Sequence, residues 1–465
     1  MDAKQLVSRM TLEEKASLLS GLDFWHTKPV ERLDVPSVML SDGPHGLRKQ
    51  REDAAADDVN DSIQAVCFPA GCASAASFDR ELIQRMGEAI GDACQHERLA
   101  VILGPAVNIK RSPLCGRNFE YYSEDPLLAG EAAAAFIEGV QSRNIGTSIK
   151  HFAANNQEHR RMSVSAEADE RTMREIYLAP FELAIKKAKP WTAMCAYNRI
   201  NGIYASEHPL YLNDILRCEW GFDGYVMSDW GAVSDRVAAV AAGLDLEMPS
   251  SGGVNDALIV EAVKNGRLDE ALVDRAAENV LNISLRYLEN AKPDTPWDME
   301  AQHRLARNLA AECMVLLKND GGLLPLYEGE KIAAIGAFAK TPRFQGGGSS
   351  HINCFKTESF LDAIAGNAGV AYAQGYRLDT EAADPALVRE AVRAARNAGV
   401  AVVFAGLPDA FESEGYDRAH MRMPANQVSL IEAVAEANPN TVVVLHNGSP
   451  VEMPWLPRVR AVIEA

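Results

Sequence analysis

Short apolar runs that end in polar, charged or aromatic residues recur along the first part of the chain. Val38-Met39-Leu40 passes into Ser41-Asp42-Gly43-Pro44, and Ala100-Val101-Ile102-Leu103-Gly104 into a long loop. Thr147-Ser148-Ile149 leads into Lys150-His151, Thr192-Ala193-Met194 into Tyr197-Asn198, and Tyr225-Val226-Met227 into Ser228-Asp229-Trp230. Helical stretches such as Leu127 to Gln141 and Glu170 to Lys187 lie between these runs, and a capping-box pattern at Thr11-Leu12-Glu13-Glu14 marks an opening helix. Strands that alternate with helices pair in parallel, and functional side chains just past the strand ends collect on one rim. Residues 1 to 290 are therefore expected to form a barrel-like domain, although a doubly wound open sheet gives the same local pattern.

After a long helix from Glu270 to Leu288, the prolines and polar residues between Asn290 and Asp298 suggest a break, so residues 291 to 310 are expected to be a linker. Beyond it, Lys331 to Ala337, Val400 to Ala405 and Thr441 to His446 read as strands, with helices from Asp384 to Asn397 and Asn426 to Ala437. Residues 311 to 465 thus form a second α/β unit whose apolar strands suit a parallel sheet covered on both faces. The last run, Val459 to Ala465, resembles the middle of a strand, so this second domain is expected to be C-terminally incomplete.

Composition narrows the function classes. Lys and Arg number 46 against 64 Asp and Glu, and the resulting charge of −18 repels phosphate backbones and anionic lipid heads. Neither a nucleic acid nor a membrane is expected as partner. No run reaches the roughly 18 apolar residues of a membrane helix. The start, Met1-Asp2-Ala3-Lys4-Gln5, lacks the order of a secretory signal, which makes a cytoplasmic location the expectation. The eight cysteines are expected to be buried free thiols. The basic stretch Lys186-Lys187-Ala188-Lys189 is read as the end of a helix, and Gly346-Gly347-Gly348-Ser349-Ser350-His351, which lacks the P-loop lysine, as a flexible loop. The histidine spacings fit no metal motif, and no metal or cofactor is assigned.

Cleaving a glycosidic bond takes one ionised carboxylate and one protonated carboxyl group. Asp229, after an apolar run and beside Trp230, is the first candidate; the competing reading is a cap for the next helix. Glu414 is the second, in the acidic stretch Phe411-Glu412-Ser413-Glu414-Gly415-Tyr416-Asp417-Arg418, whose plainer reading is a solvated loop. Asp42, the Lys150-His151 pair and Arg117 offer the charged and bidentate groups that sugar hydroxyls need, and Arg117 is expected to hold Asp229 ionised.

Taken in order, Ser41-Asp42-Gly43-Pro44, Gly116-Arg117-Asn118-Phe119 through Ser123-Glu124-Asp125-Pro126, Lys150-His151-Phe152, Met194-Cys195-Ala196-Tyr197-Asn198, Ser228-Asp229-Trp230 and Glu412 through Arg418 resemble glycoside hydrolase family 3, in particular its β-glucosidases. The resemblance implies a (β/α)8 TIM-like barrel followed by an α/β sandwich, and retaining, exo-acting hydrolysis of terminal β-D-glucosyl residues. It gives Asp229 the nucleophile position and Glu414 the acid/base position, with Glu412 as the fallback. Asp42, Arg48, Arg117, Lys150, His151, Met194, Tyr197 and Trp230 match positions that line the sugar pocket. Glu414 is expected to need a raised pKa, and Arg117 and Lys150 to keep Asp229 anionic.

The family's hexosaminidase branch resembles Lys-His-Phe-Pro-Gly-His-Gly, whereas this chain reads Lys150-His151-Phe152-Ala153-Ala154-Asn155-Asn156, which argues against that branch. The expected substrate is a β-glucoside or cello-oligosaccharide. A β-xylosidase or broader specificity, and a sugar-binding or assembly fragment without catalysis, remain as alternatives. An NAD-dependent dehydrogenase would share the alternation but finds no glycine fingerprint here. A homo-oligomer or a missing C-terminal segment is the polypeptide partner left open.

Overall fold

A computed structural model describes residues 2–54 and 61–465; Met1, the first residue of the expected opening segment, lies outside them. The first sheet has five parallel strands in sequence order: β1 (Met39–Asp42), β2 (Leu99–Leu103), β3 (Gly146–Phe152), β4 (Thr192–Cys195) and β5 (Tyr225–Met227). Every residue of β2 and β3 is buried, as a sheet covered on both faces requires. Isolated bridges continue the pairing from Met227 to Leu246 and from Glu247 to Ser20, then antiparallel from Gly21 to Thr27 and from His26 back to Met39 in β1. Among the described residues five parallel strands are paired in this sheet rather than the expected eight.

Helices α1 (Arg80–His96) and α2 (Pro126–Gln141) pack closely outside the sheet. Asp125 caps α2 with Pro126 in its first turn, where the missing N–H costs nothing. Gly139 lets the helices approach, since a Cβ there would stand 2.1 Å from the Gln84 carbonyl oxygen. The Thr11 capping box forms as expected, and Lys186 and Lys187 end a helix in ion pairs with Glu182 and Glu131.

The expected linker is only partly extended. Residues 299 to 313 form helix α3 (Met299–Cys313), capped by Asp298, whose Ala306, Leu309 and Cys313 join the core of the first domain. Those side chains recur at helical spacing, so burial of one face turns more than half of the linker into a structural helix.

The second sheet has six strands: β6 (Val315–Asn319), β7 (Ile332–Ile335), β8 (Val370–Ala373), β9 (Val400–Gly406), β10 (Thr441–His446) and β11 (Ala461–Glu464). Their spatial order is β8-β7-β9-β10-β11-β6, parallel except for the last pair. The last strand run, Val459 to Ala465, is found as β11 (Ala461–Glu464). β11 lies inside the sheet, bonded to β10 on one side and to antiparallel β6 on the other, and β9, which leads into the Glu414 loop, is likewise flanked on both sides. All eight cysteines are free, but only Cys94, Cys115, Cys195 and Cys313 are buried, and Cys218 is exposed. No helix among the described residues is long and apolar enough to cross a membrane.

Candidate active site

The rim of the first sheet and the loop after β9 meet in a cluster of interleaved charges. Asp229 lies two residues past β5 and is buried. It does not cap the next helix, Arg236–Ala242, because Asp235 does so through two backbone N–H groups. One Asp229 oxygen accepts from the Trp230 backbone N–H at 2.8 Å. The other, Oδ2, has no hydrogen-bond partner and stands 3.7 Å from His151 Nε2. Burial raises the Asp229 pKa from an ordinary 3.8 to about 6, helped by the negative charge of Glu414 and opposed by Arg117, Lys150 and Arg161. Burial, with Arg117, Lys150 and Arg161 adding to it, pushes His151 well below its usual range, so this neighbour is neutral.

Arg117 does not pair with Asp229. Its Nε and Nη2 hold Glu120 at 2.8 and 2.7 Å, and its Nη1 lies 3.5 Å from Glu414. Lys150 sits between Asp42, 3.6 Å away, and Glu120, 3.8 Å away. Arg48 donates to the other Asp42 oxygen at 3.0 Å. Burial raises the Asp42 pKa against the pull of Lys150 and Arg48. The cations that sequence assigned to Asp229 are therefore occupied by other carboxylates.

Glu414 comes from the second domain and lands among side chains of the first. Its Oε1 accepts from Arg161 Nη1 at 2.7 Å, and its Oε2 from the Ser349 backbone N–H at 2.7 Å. Burial pushes its pKa up, but Arg117, Arg161 and the Ser349 bond outweigh burial and hold the carboxylate well below the usual range. This reverses the expectation of a raised Glu414 and a firmly anionic Asp229. The physical reason is placement, since both arginines lie closer to Glu414 than to the nucleophile candidate.

Glu412 is excluded from the cluster. Its side chain is fully buried in the second domain, bonded to Arg343 at 2.6 Å, to the Gly448 N–H at 3.1 Å and to the Ser449 hydroxyl. The chain turns at Glu414 and Gly415, and this turn, not strand alternation, separates two glutamates that lie two residues apart. Tyr197 donates to the Trp230 carbonyl at 3.0 Å, and its ring lies 4.5 Å beneath the Arg161 guanidinium. Trp230 packs on Trp25 with ring centroids 5.5 Å apart and donates to the Phe24 carbonyl. Met194 is buried in β4 opposite Met227 and belongs to the core rather than to the charged cluster.

Sequence reading missed Glu120, Glu158, Arg161, Ser349 and Asp417. Glu158 and Arg161 stand in the charged run that follows β3, whereas Lys150 and His151, expected just past the strand, lie inside it. The loop read as flexible, Gly346 to His351, instead lies along the Glu414 loop: Gly347 accepts from the Glu414 N–H at 3.1 Å and Ser349 donates to the Glu414 carboxylate.

The fold and this cluster define a two-domain α/β protein in which each domain supplies a carboxyl group to one polar site. The chain belongs to glycosyl hydrolase family 3. The sequence model of that family's N-terminal domain matches residues 31–283, and that of its C-terminal domain matches residues 314–465. The chain is 58% identical to thermostable beta-glucosidase B of Acetivibrio thermocellus and 50% identical to an exo-alpha-(1->6)-L-arabinopyranosidase of Bifidobacterium longum. These alignments cover 100% and 99% of this chain, and the chain spans 62% of the length of each relative. The crystal structure of a Bifidobacterium adolescentis GH3 beta-glucosidase superposes with a TM-score of 0.93 at 48% identity, covering 98% of this chain and 66% of that one.

Proposed function

We propose that the chain is the catalytic part of a retaining exo-β-glycosidase acting on terminal β-D-glucosyl residues, with Asp229 as nucleophile and Glu414 as acid/base. The observation that carries this reading is the arrival of Glu414, from the second domain, in the charged cluster of the first, close enough to Asp229 for its charge to help raise the Asp229 pKa. The beta-glucosidase names of two relatives support the sugar. The first sheet, with its bridges from β5 round to β1, is read as a barrel-like wall, and the second domain as the sandwich that brings Glu414 to its rim.

Below about pH 6 the pair holds one proton, and the order of the two pKa values puts it on Asp229. Catalysis needs the opposite arrangement: an ionised Asp229 to attack the anomeric carbon and a protonated Glu414 to release the aglycone. An aglycone oxygen that accepts a hydrogen bond from the protonated form of Glu414, with positive charge developing at the anomeric carbon beside Asp229, favours the arrangement with the proton on Glu414. Asp42, fixed by Arg48 and Lys150, accepts hydrogen bonds from adjacent sugar hydroxyls, and Trp230 with Trp25 offers an apolar face.

The 50% identity to an arabinopyranosidase favours a second reading, in which the site takes a pyranoside lacking the hydroxymethyl group. Aryl β-glucoside, β-xyloside and α-L-arabinopyranoside assayed together separate the two. Incubation with 2-deoxy-2-fluoro-β-glucosyl fluoride is expected to place one fluoroglucosyl ester on the peptide that contains Asp229. A label on another residue overturns the assignment, and glucose binding without any turnover favours the non-catalytic alternative.

A further inference from the structure

Asp417 lies three residues after Glu414, in the second domain, yet both of its oxygens are bonded to backbone of the first. Oδ1 accepts from the Gly116 N–H at 3.0 Å and the Glu158 N–H at 2.9 Å, and Oδ2 accepts from the His159 N–H at 2.9 Å. A carboxylate with three backbone donors aimed at it reads position rather than sequence, because backbone N–H groups cannot rotate away as side chains do.

The same loop is gripped from the other direction. The Glu158 side chain, itself buried, accepts from the Gly415 N–H at 2.9 Å and from Arg161 at 2.7 Å, and Arg161 in turn holds Glu414. Arg418 adds a backbone bond to the Leu114 carbonyl at 2.8 Å. Gly116 leaves no slack: a Cβ there would stand 1.8 Å from the Tyr416 carbonyl oxygen and 2.4 Å from that of Ser413.

We propose that Asp417 is the positioning residue for Glu414, setting the separation of the two reacting carboxyl groups by locking the Glu414 loop to the Gly116 and Glu158–His159 backbone of the first domain. The inference rests on the reading of Glu414 as acid/base. Glu158 closes the ring of bonds, since its N–H binds Asp417 while its carboxylate binds the residue next to Glu414. Loss of the Asp417 carboxylate frees the loop and moves the Glu414 oxygens relative to Asp229, and a displacement of about 1 Å at a reacting group costs on the order of a hundredfold in rate.

Replacement by asparagine keeps the shape but turns an NH2 toward one of the three donors, which breaks the lock without a cavity. Asp417→Asn is compared with Glu414→Ala and wild type on phenyl β-glucoside, whose leaving group needs a proton, and on 2,4-dinitrophenyl β-glucoside, whose first-turnover release does not. Asp417→Asn is expected to lose roughly a hundredfold in kcat on the phenyl substrate while the first-turnover burst stays near the wild-type rate. Equal losses on both substrates, or no loss on either, overturn the proposal, because a merely structural role does not depend on the leaving group.

Glu414→Ala separates the two levels. No leaving-group dependence in that variant sinks the acid/base reading, whereas dependence there and none in Asp417→Asn sinks the positioning role alone. Should Asp417→Asn lose its cooperative thermal transition, Asp417→Glu carries the same test, keeping the charge while displacing the oxygens by one methylene.

Discussion

Arg161 donates through a single nitrogen, Nη1, to Glu158 and to Glu414, each at 2.7 Å, and so ties the charge state of a second-domain carboxylate to a loop of the first domain. That bond and the neighbouring Arg117 explain why Glu414 is the more acidic of the two candidate reacting groups, although it is also buried.

The shared proton leads to a pH prediction. Between the low Glu414 value and about 6 the pair holds one proton; above about 6 it loses that proton and no tautomer can protonate the leaving group. For the free enzyme, kcat/KM on an aryl β-glucoside is expected to fall tenfold per pH unit above a break near 6. Arg161→Gln removes a cation from both carboxyl groups, so the pair keeps its proton longer and the break is expected at higher pH. A break that stays in place in this variant would show that Arg161 does not govern the pair.

Asp229 exacts a stability cost for its placement. Its pKa is raised from 3.8 to about 6, so the folded state binds the proton more tightly than the unfolded chain does. The penalty is full above pH 6, shrinks as pH falls through 6 and is gone below 3.8, where both states are protonated. Asp229→Asn is therefore expected to be more stable than wild type by about 3 kcal/mol at pH 8 and nearly equal to it at pH 3.5. Denaturant unfolding at the two pH values measures this, and an equal difference at both would contradict the linkage.

The two glutamates of the acidic loop should fail in different ways. Glu412→Ala strands the buried Arg343 charge and is expected to lower stability by about 3 to 5 kcal/mol. Glu414→Ala is expected to fold normally, to lose activity on poor leaving groups and to recover part of it with azide. Thermal unfolding beside azide-dependent kinetics separates them, and unchanged kinetics in the Glu414 variant would remove its assigned role.

Gly116 tests how tightly the domains are seated. Its neighbours are carbonyl oxygens of the Glu414 loop, which cannot swing aside as a flexible side chain can. Gly116→Ala is expected to lower kcat on phenyl β-glucoside while leaving far-ultraviolet circular dichroism unchanged. Wild-type kinetics in this variant would mean that the loop position is not critical.

Much of the frame was legible in the chain itself. The runs ending at Leu40, Leu103, Ile149, Met194 and Met227 are the five paired strands of the first sheet, and the strand at Thr441 to His446 is found with the bounds the pattern implied. Hydrophobic periodicity reports which face a segment buries, and that is a local property. The position of Asp229 followed from the same rule, because a polar residue just past a buried strand has nowhere to go but the rim, whereas Lys150 and His151 lie inside β3 itself.

Tertiary structure alone decided which charges meet. Arg117 faced several carboxylates in sequence terms and chose Glu120, Asp417 found its partners in the backbone of the other domain, and more than half of the expected linker became a helix with one buried face. The proton order of Asp229 and Glu414 depends on burial and on distances to cations brought in from separate elements, quantities that the spacing of residues along a chain does not encode.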